Sequence, residues 1–393
     1  MLSFNNTEIA FSDKTGADLD RSYWLFKIIS NSWVVSIGSS LTKIVLKMHL
    51  PIKGIIKATI FKQFCGGESI EECEMKINTL GNSKIGTILD YSAEGKGSEN
   101  DFNACASETI ATIQRSKTNT NIPFCVFKVT GLARFELLEN ISAKRSLTEV
   151  EENEFERVKQ RIHSICQAAK NIGTPVFIDA EETWIQNAVD ELAMNMMTLY
   201  NTQKPIVYTT IQMYRKDRLL YLKRSFDLAK QENYILGVKI VRGAYLEKER
   251  DRAKGKGYSS PIQDNKKNTD DDYDSAISFC LDNIHKIAFC AATHNEVSSM
   301  KLVQMMEEKN IPKDHEHIYF AQLLGMSDHI SYNLANAGYN VAKYVPYGPV
   351  NEVIPYLIRR AQENTFVKGQ TGRELGLIVK EKERRKKVVD RKK

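Results

Sequence analysis

The sequence contains no CxxC pair. Its seven cysteines, at 65, 73, 105, 125, 166, 280 and 290, follow no regular spacing. That excludes a zinc-ribbon arrangement and offers no disulfide framework, so a reducing, cytoplasmic setting is expected. No run of 18 uncharged apolar residues occurs. The most apolar stretch, 33–64, is broken by Lys43, Lys47, Lys53, Lys57 and Lys62, so a membrane-crossing helix is not expected. The first twenty residues carry acids early and no apolar signal core, so neither a secretory nor a transit peptide is expected. GxGxxG, P-loop and HExxH motifs are all missing, which removes the common dinucleotide, phosphate-loop and zinc-protease fingerprints. No metal cluster and no nucleophile triad stands out.

Excess charge is also missing from most of the chain. The net charge is +6, and residues 380–393 alone hold nine Lys or Arg against three acids. The remainder is balanced, so nucleic acid is not an expected partner, and the tail reads as a solvated basic end. The lysines of 33–64 recur about every four residues, which places them along one helical face with Val, Ile, Leu and Met opposite. Such a helix either packs on a core or lies on an anionic lipid surface, peripherally and at the inner face of a cell membrane.

What the chain does have is alternation. Residues 18–82 read as helical. From there, short apolar runs at 85–90, 124–130, 175–179, 206–213, 236–242, 287–292, 318–323 and 339–345 alternate with helix-compatible stretches such as 147–171, 182–199, 216–232, 296–309 and 350–363. Continuous apolar strands separated by helices indicate a parallel sheet covered on both faces. Eight such units favour a (β/α)8 barrel over an open doubly wound sheet. The expected organisation is a helical N-terminal region over 1–82, a barrel over 83–379 and a basic tail over 380–393. The polar segment 254–273 reads as a long loop, either a mobile cover or an inert excursion.

A barrel of this kind places its chemistry at the C-terminal strand ends. Polar residues stand at all eight: Asp90 with Glu94, Lys128, Asp179 with Glu181 and Glu182, Gln212, Lys239 with Arg242, Thr293 with His294 and Asn295, Gln322, and Tyr344 followed by Tyr356, Arg359 and Arg360. Convergent polar groups at a barrel mouth make a binding site. The cations Lys128, Lys239, Arg242, Arg359 and Arg360 suit a small carboxylate together with a phosphate-bearing cofactor, because arginine forks bind both groups in bidentate fashion. Two rivals remain at this point. One is a Schiff-base aldolase with Lys128 as nucleophile; the other is a non-enzymatic membrane scaffold built on the basic segments.

The segments FIDAEE (177–182), KIVRGAYLEKER (239–250), ATHN (292–295), YVPYG (344–348) and YLIRRAQEN (356–364) resemble, in order, the signature segments of proline dehydrogenases. The likeness covers roughly residues 66–385 and is nearest to the single-function, eukaryotic-like branch. It implies a distorted (β/α)8 barrel that binds FAD across the strand ends and passes a hydride from C5 of L-proline to flavin N5, with a quinone as electron acceptor. By the same resemblance, Lys128, Arg359 and Arg360 hold the substrate carboxylate, and Tyr245, Leu323, Tyr344 and Tyr356 shape the pocket around the ring. Asp90 and Asp179 support them. Glu94 serves as a gate that pairs with the first arginine of the RR dipeptide. Gln212, Lys239, Arg242, Gly243, Ala244, Thr293, His294, Gln322 and Glu363 fall where the family holds FAD. Lys239 and Arg242 stand in reversed order relative to many bacterial members, so both are candidates for flavin N5.

Overall fold

The computed structural model describes residues 2–29, 53–92, 97–366 and 370–391. Eight parallel strands close into a barrel in chain order. They are β1 (Ile85–Tyr91), β2 (Phe124–Lys128), β3 (Val176–Asp179), β4 (Val207–Gln212), β5 (Leu236–Val241), β6 (Ile287–Ala292), β7 (Ile318–Leu323) and β8 (Val341–Tyr347). Each matches an apolar run expected from the sequence, because a strand covered on both faces must be apolar at nearly every position. The largest differences are small. Val129–Gly131 leaves β2 as a 3-10 turn, and β8 starts and ends later than 339–345.

Helices surround and precede the strands: α1 (Thr7–Ala10), α2 (Gly16–Ile29), α3 (Lys53–Ile56), which continues through a π-helical turn (Lys57–Phe61) into Lys62–Phe64, and α4 (Ile70–Asn82). Between the strands lie α5 (Glu99–Ser116), α6 (Phe135–Ser142), α7 (Glu149–Ile172), α8 (Thr183–Tyr200), α9 (Arg218–Gln231), α10 (Leu246–Lys256), α11 (Lys266–Asp282), α12 (Glu296–Glu308) and α13 (Asp328–Asn336). After β8 come α14 (Val350–Phe366) and α15 (Gln370–Asp390). Several starts are written locally. Ser98 with Asp101 and Thr148 with Glu151 form reciprocal capping boxes on α5 and α7, each satisfying two orphan N–H groups.

The chain divides into two compact units. The first holds residues 88–91 and the described residues from 97 to 321. Its core includes Phe124, Phe177 and Tyr208, bordered by half-buried Tyr319, all near the N-terminal ends of their strands. Phe124 and Phe177 stack with centroids 4.5 Å apart, and Tyr208 and Tyr319 meet Phe124 edge-on. Aromatic mass therefore fills one end and leaves polar residues to the other. The segment read as a long loop over 254–273 is mostly the end of α10 and the start of α11. What connects them is fastened: Lys216 N–H donates to the Pro261 carbonyl, Gln263 N–H donates to the Tyr214 carbonyl, and Ile262 is buried. Its charge is the solvent side of two helices.

The second unit holds the described residues up to 87, residue 92, and those from 322 onward. Phe61 and Phe64 pack with Val350, Val353, Tyr356 and Leu357, and Ile56 and Ile60 border them. The described end of the lysine-rich stretch therefore turns its apolar face to protein, with Lys62 exposed. Lys57 pairs with Glu68 at 2.6 Å. Lys43 and Lys47 lie outside the described residues. Residues 380–390 of the basic run form the second half of α15, with Lys380, Lys386 and Lys387 exposed. Leu377 and Ile378 pack on Phe11, Leu19 and Phe26. Buried Glu381 accepts from Arg384 and Arg385, and Arg385 also donates to the Phe11 and Lys14 carbonyls at 2.8 Å.

Candidate active site

In the first unit, four charged side chains meet at the strand ends. The β2–β3 register sets Lys128 beside Asp179. Lys128 Nζ lies 3.0 and 3.2 Å from the Asp90 carboxylate oxygens and 3.9 Å from Asp179. Lys239, on β5, donates to Asp179 and lies 5.4 Å from the Phe177 ring centroid. Two cations and two carboxylates thus compensate one another, as buried charges must. The Lys128 side chain keeps 27% of its surface, against 5% for Lys239, so Lys128 is the more exposed of the two. Burial alone would lower its pKa, but Asp90 and Asp179 outweigh burial and raise it. A lysine paired this closely with two carboxylates is the opposite of the desolvated, unpaired lysine that a Schiff-base aldolase needs.

Beyond β3, Glu181 is buried and accepts from both Thr130 N–H (3.1 Å) and Thr130 Oγ1 (2.5 Å). Burial pushes its carboxyl up to about 7; the Thr130 hydrogen bonds oppose the rise, Glu182 adds to it and Lys128 opposes it. Gln212, at the end of β4, donates Nε2 to the Glu181 carbonyl at 3.0 Å. Its Oε1 is buried with no protein donor. An orphaned buried acceptor costs about 1–3 kcal/mol, so this position fits a ligand that brings an N–H or O–H, as the ring system and ribityl chain of FAD do.

Arg242, just past β5, is fixed on all sides. It donates to Asp270 Oδ1 (2.7 Å), Thr293 Oγ1 (2.6 Å) and Ser298 Oγ (2.9 Å), and its guanidinium lies 4.3 Å from the Tyr273 ring centroid. Burial pushes Asp270 up, yet Lys266 and Arg242 together hold it below the ordinary carboxylate range. Asp270 and Ser298 are braces that sequence reading missed, because Asp270 sat in what looked like a loop. Gly243 has φ +131, and a Cβ there would stand 2.4 Å from the Tyr214 ring; no other residue fits this turn. Gly243 and Ala244 are exposed, while Tyr245, Thr293 and His294 lie at or near the surface of the same end or are buried beneath it.

In the second unit, Gln322 is buried and accepts from Ser331 Oγ at 2.7 Å. Leu323 borders the cluster that contains Tyr356, and Tyr344 is buried on β8, its carbonyl accepting from Leu324 N–H. Arg359, Arg360 and Glu363 occupy α14; their side chains, and all of Glu94, lie outside the described residues. Beside Tyr344 the sequence reading passed over Lys343, which is fully buried and donates to Asp328 Oδ1 and the Met326 carbonyl, both at 2.6 Å. A lysine inside an apolar strand was the available signal, since such a charge needs a partner.

The chain matches the family model described as proline dehydrogenase over residues 73–373. Proline dehydrogenase 1, mitochondrial, of Dictyostelium discoideum is 31% identical, over 98% of this chain and 75% of that protein. Proline dehydrogenase 2, mitochondrial, of Arabidopsis thaliana is 32% identical, over 90% of this chain and 83% of that protein. A crystal structure of proline utilization A from Bdellovibrio bacteriovorus, inactivated by N-propargylglycine, shares the fold with a TM-score of 0.71 at 20% identity. That match covers 93% of this chain and 37% of the longer one. Both of these curated relatives are mitochondrial by name, not cytoplasmic, which overturns the expected cytoplasmic location at the inner face of a cell membrane. Unpatterned cysteines mark a reducing compartment without saying which one. With three quarters of its length inside the family's pattern, on the barrel that the pattern requires, the chain belongs to the proline dehydrogenase family, FAD-dependent oxidoreductases that act on proline.

Proposed function

We propose that the strand-end residues oxidise L-proline at C5 to Δ1-pyrroline-5-carboxylate. The C5–H bond breaks, a C5=N bond forms, and one N–H proton leaves to water. FAD, when bound, would supply the hydride acceptor at N5, with a quinone as the final electron acceptor. The observation that carries this reading is the compensated quartet around Lys128, whose side chain is the more exposed of the two lysines at the strand ends.

In this reading Lys128, Arg359 and Arg360 take the substrate carboxylate, and Asp90 and Asp179 keep Lys128 aimed. Tyr245, Leu323, Tyr344 and Tyr356 bound the ring, and Tyr356 disfavours a ring hydroxyl. Such residues act by orientation and exclusion of water, since hydride transfer needs an aimed C–H bond and no acid–base triad. Gln212, Lys239, Arg242, Gly243, Ala244, Thr293, His294, Gln322 and Glu363 hold the cofactor, with Glu94 as gate. Gln212→Ala and Arg242→Ala are each expected to lower the flavin content of the purified protein at least by half. Full occupancy in both variants would argue against this placement.

The quinone is lipid-soluble, so we place its encounter at an anionic membrane. Support comes from the lysines of 33–64, from exposed Lys62, and from Lys386 and Lys387 on the outer side of α15. Among the described residues no helix is long and apolar enough to cross a membrane. Each cation near such a surface contributes about 1 kcal/mol, and salt screens it. Cosedimentation with anionic vesicles, reversed by high salt, is the expected result; equal sedimentation with neutral and anionic vesicles would contradict it.

A further inference from the structure

Glu181 belongs to the DAEE segment, yet the substrate and cofactor roles leave it without a task. It is nonetheless the point at which three strand ends meet. It follows β3 two residues after Asp179. Its carboxylate takes both donors of Thr130, two residues past Lys128 on the 3-10 turn that ends β2. Its carbonyl takes Gln212 Nε2 from the end of β4 at 3.0 Å. Its own N–H donates to Gln186 Oε1 at 2.8 Å, and Gln186 Nε2 donates to Asp190, which is paired with Arg218 of α9. Glu181, Gln186, Asp190, Arg218 and Gln212 are all buried. Hydrogen bonds that link one buried polar group to the next hold that chain in place. It ends on the turn that carries Lys128.

We infer that Glu181 is a positioning residue for the reaction: its carboxylate locks the turn after β2 and so fixes the Lys128 ammonium where the substrate carboxylate binds. The inference rests on the substrate-site reading above. It separates two functions of one residue. Only the carboxylate bonds to Thr130, whereas Gln212 is held by the backbone carbonyl, which no side-chain substitution removes. Loss of the carboxylate therefore loosens substrate binding and leaves the cofactor brace in place.

The test measures KM for proline, kcat with an artificial electron acceptor, and flavin content for the holoenzyme and for Glu181→Ala, Thr130→Val, Lys128→Met and the double variant Lys128→Met with Glu181→Ala. Expected for Glu181→Ala is a KM rise on the order of tenfold, with kcat and flavin content near those of the parent. Thr130→Val, which removes only the hydroxyl donor, moves KM in the same direction by less, and it decides the matter if Glu181→Ala does not fold. Because Glu181 acts through Lys128, adding Glu181→Ala to Lys128→Met raises KM no further, the signature of coupled sites. A Lys128→Met enzyme with raised KM beside Glu181→Ala and Thr130→Val enzymes with parental KM overturns the inference alone. So does full additivity in the double variant. A parental KM in Lys128→Met removes the substrate-site reading, and this inference with it.

Discussion

Exchanging Asp328 for Asn is expected to cost the fold about 3–5 kcal/mol, the range seen when one partner of a buried ion pair is removed. Asp328 opens α13 and is buried, with Lys343 at 2.6 Å and Lys14 at 3.5 Å. Asparagine keeps the shape and removes the charge, leaving the fully buried Lys343 ammonium with neutral acceptors alone, the new amide oxygen and the Met326 and Leu323 carbonyls. Burial pushes the Asp328 carboxyl up, but Lys343 and Lys14 outweigh it and hold the group well below the ordinary range. A carboxyl depressed in the folded state stabilises above its unfolded pKa, about 3.9, and loses that contribution as pH falls through the folded value. Denaturant midpoints should therefore separate parent and variant widely at neutral pH and converge in strong acid. Equal midpoints at neutral pH would show that the Lys343 charge is compensated elsewhere.

Arg359→Met and Arg360→Met are each expected to weaken proline binding by about 2–5 kcal/mol, the cost of leaving a buried charge without its hydrogen-bonded partner. The expectation comes from their adjacency on α14, within YLIRRAQEN, in a family whose substrate is an amino-acid carboxylate. Guanidinium groups meet a carboxylate through two parallel N–H bonds, which an ammonium cannot reproduce. Arg360→Lys should accordingly recover only part of the loss. The readout is KM for proline together with the Kd of a competitive ring carboxylate. Values within about twofold of the parent in both methionine variants would refute the carboxylate clamp, since even 2 kcal/mol exceeds tenfold.

The eight strands were legible because continuous apolar runs have few other uses in a chain with helices between them. The polar strand ends were legible for the complementary reason, that a charge terminating an apolar run must meet something. Pairings across the barrel were not. Nothing near Arg242 in sequence announces Asp270 or Ser298, and nothing near Lys128 announces that Thr130 answers to Glu181. Charged helices with one wet face read as loop, which is how the start of α11 was lost within 254–273. Within the basic C-terminal run the anchoring of Arg385 was invisible because its partners, the carbonyls of Phe11 and Lys14, are backbone groups some 370 residues away. Lys343 escaped notice beside Tyr344, although an unpaired lysine in β8 would have been untenable.

The visible spectrum of the purified protein, recorded without oxygen before and after adding L-proline, tests flavin-dependent proline oxidation most directly. The expected protein is yellow, with a flavin band in the blue that bleaches on adding L-proline and returns when a quinone is supplied. A colourless protein, or a flavin band that L-proline leaves unchanged, would contradict it.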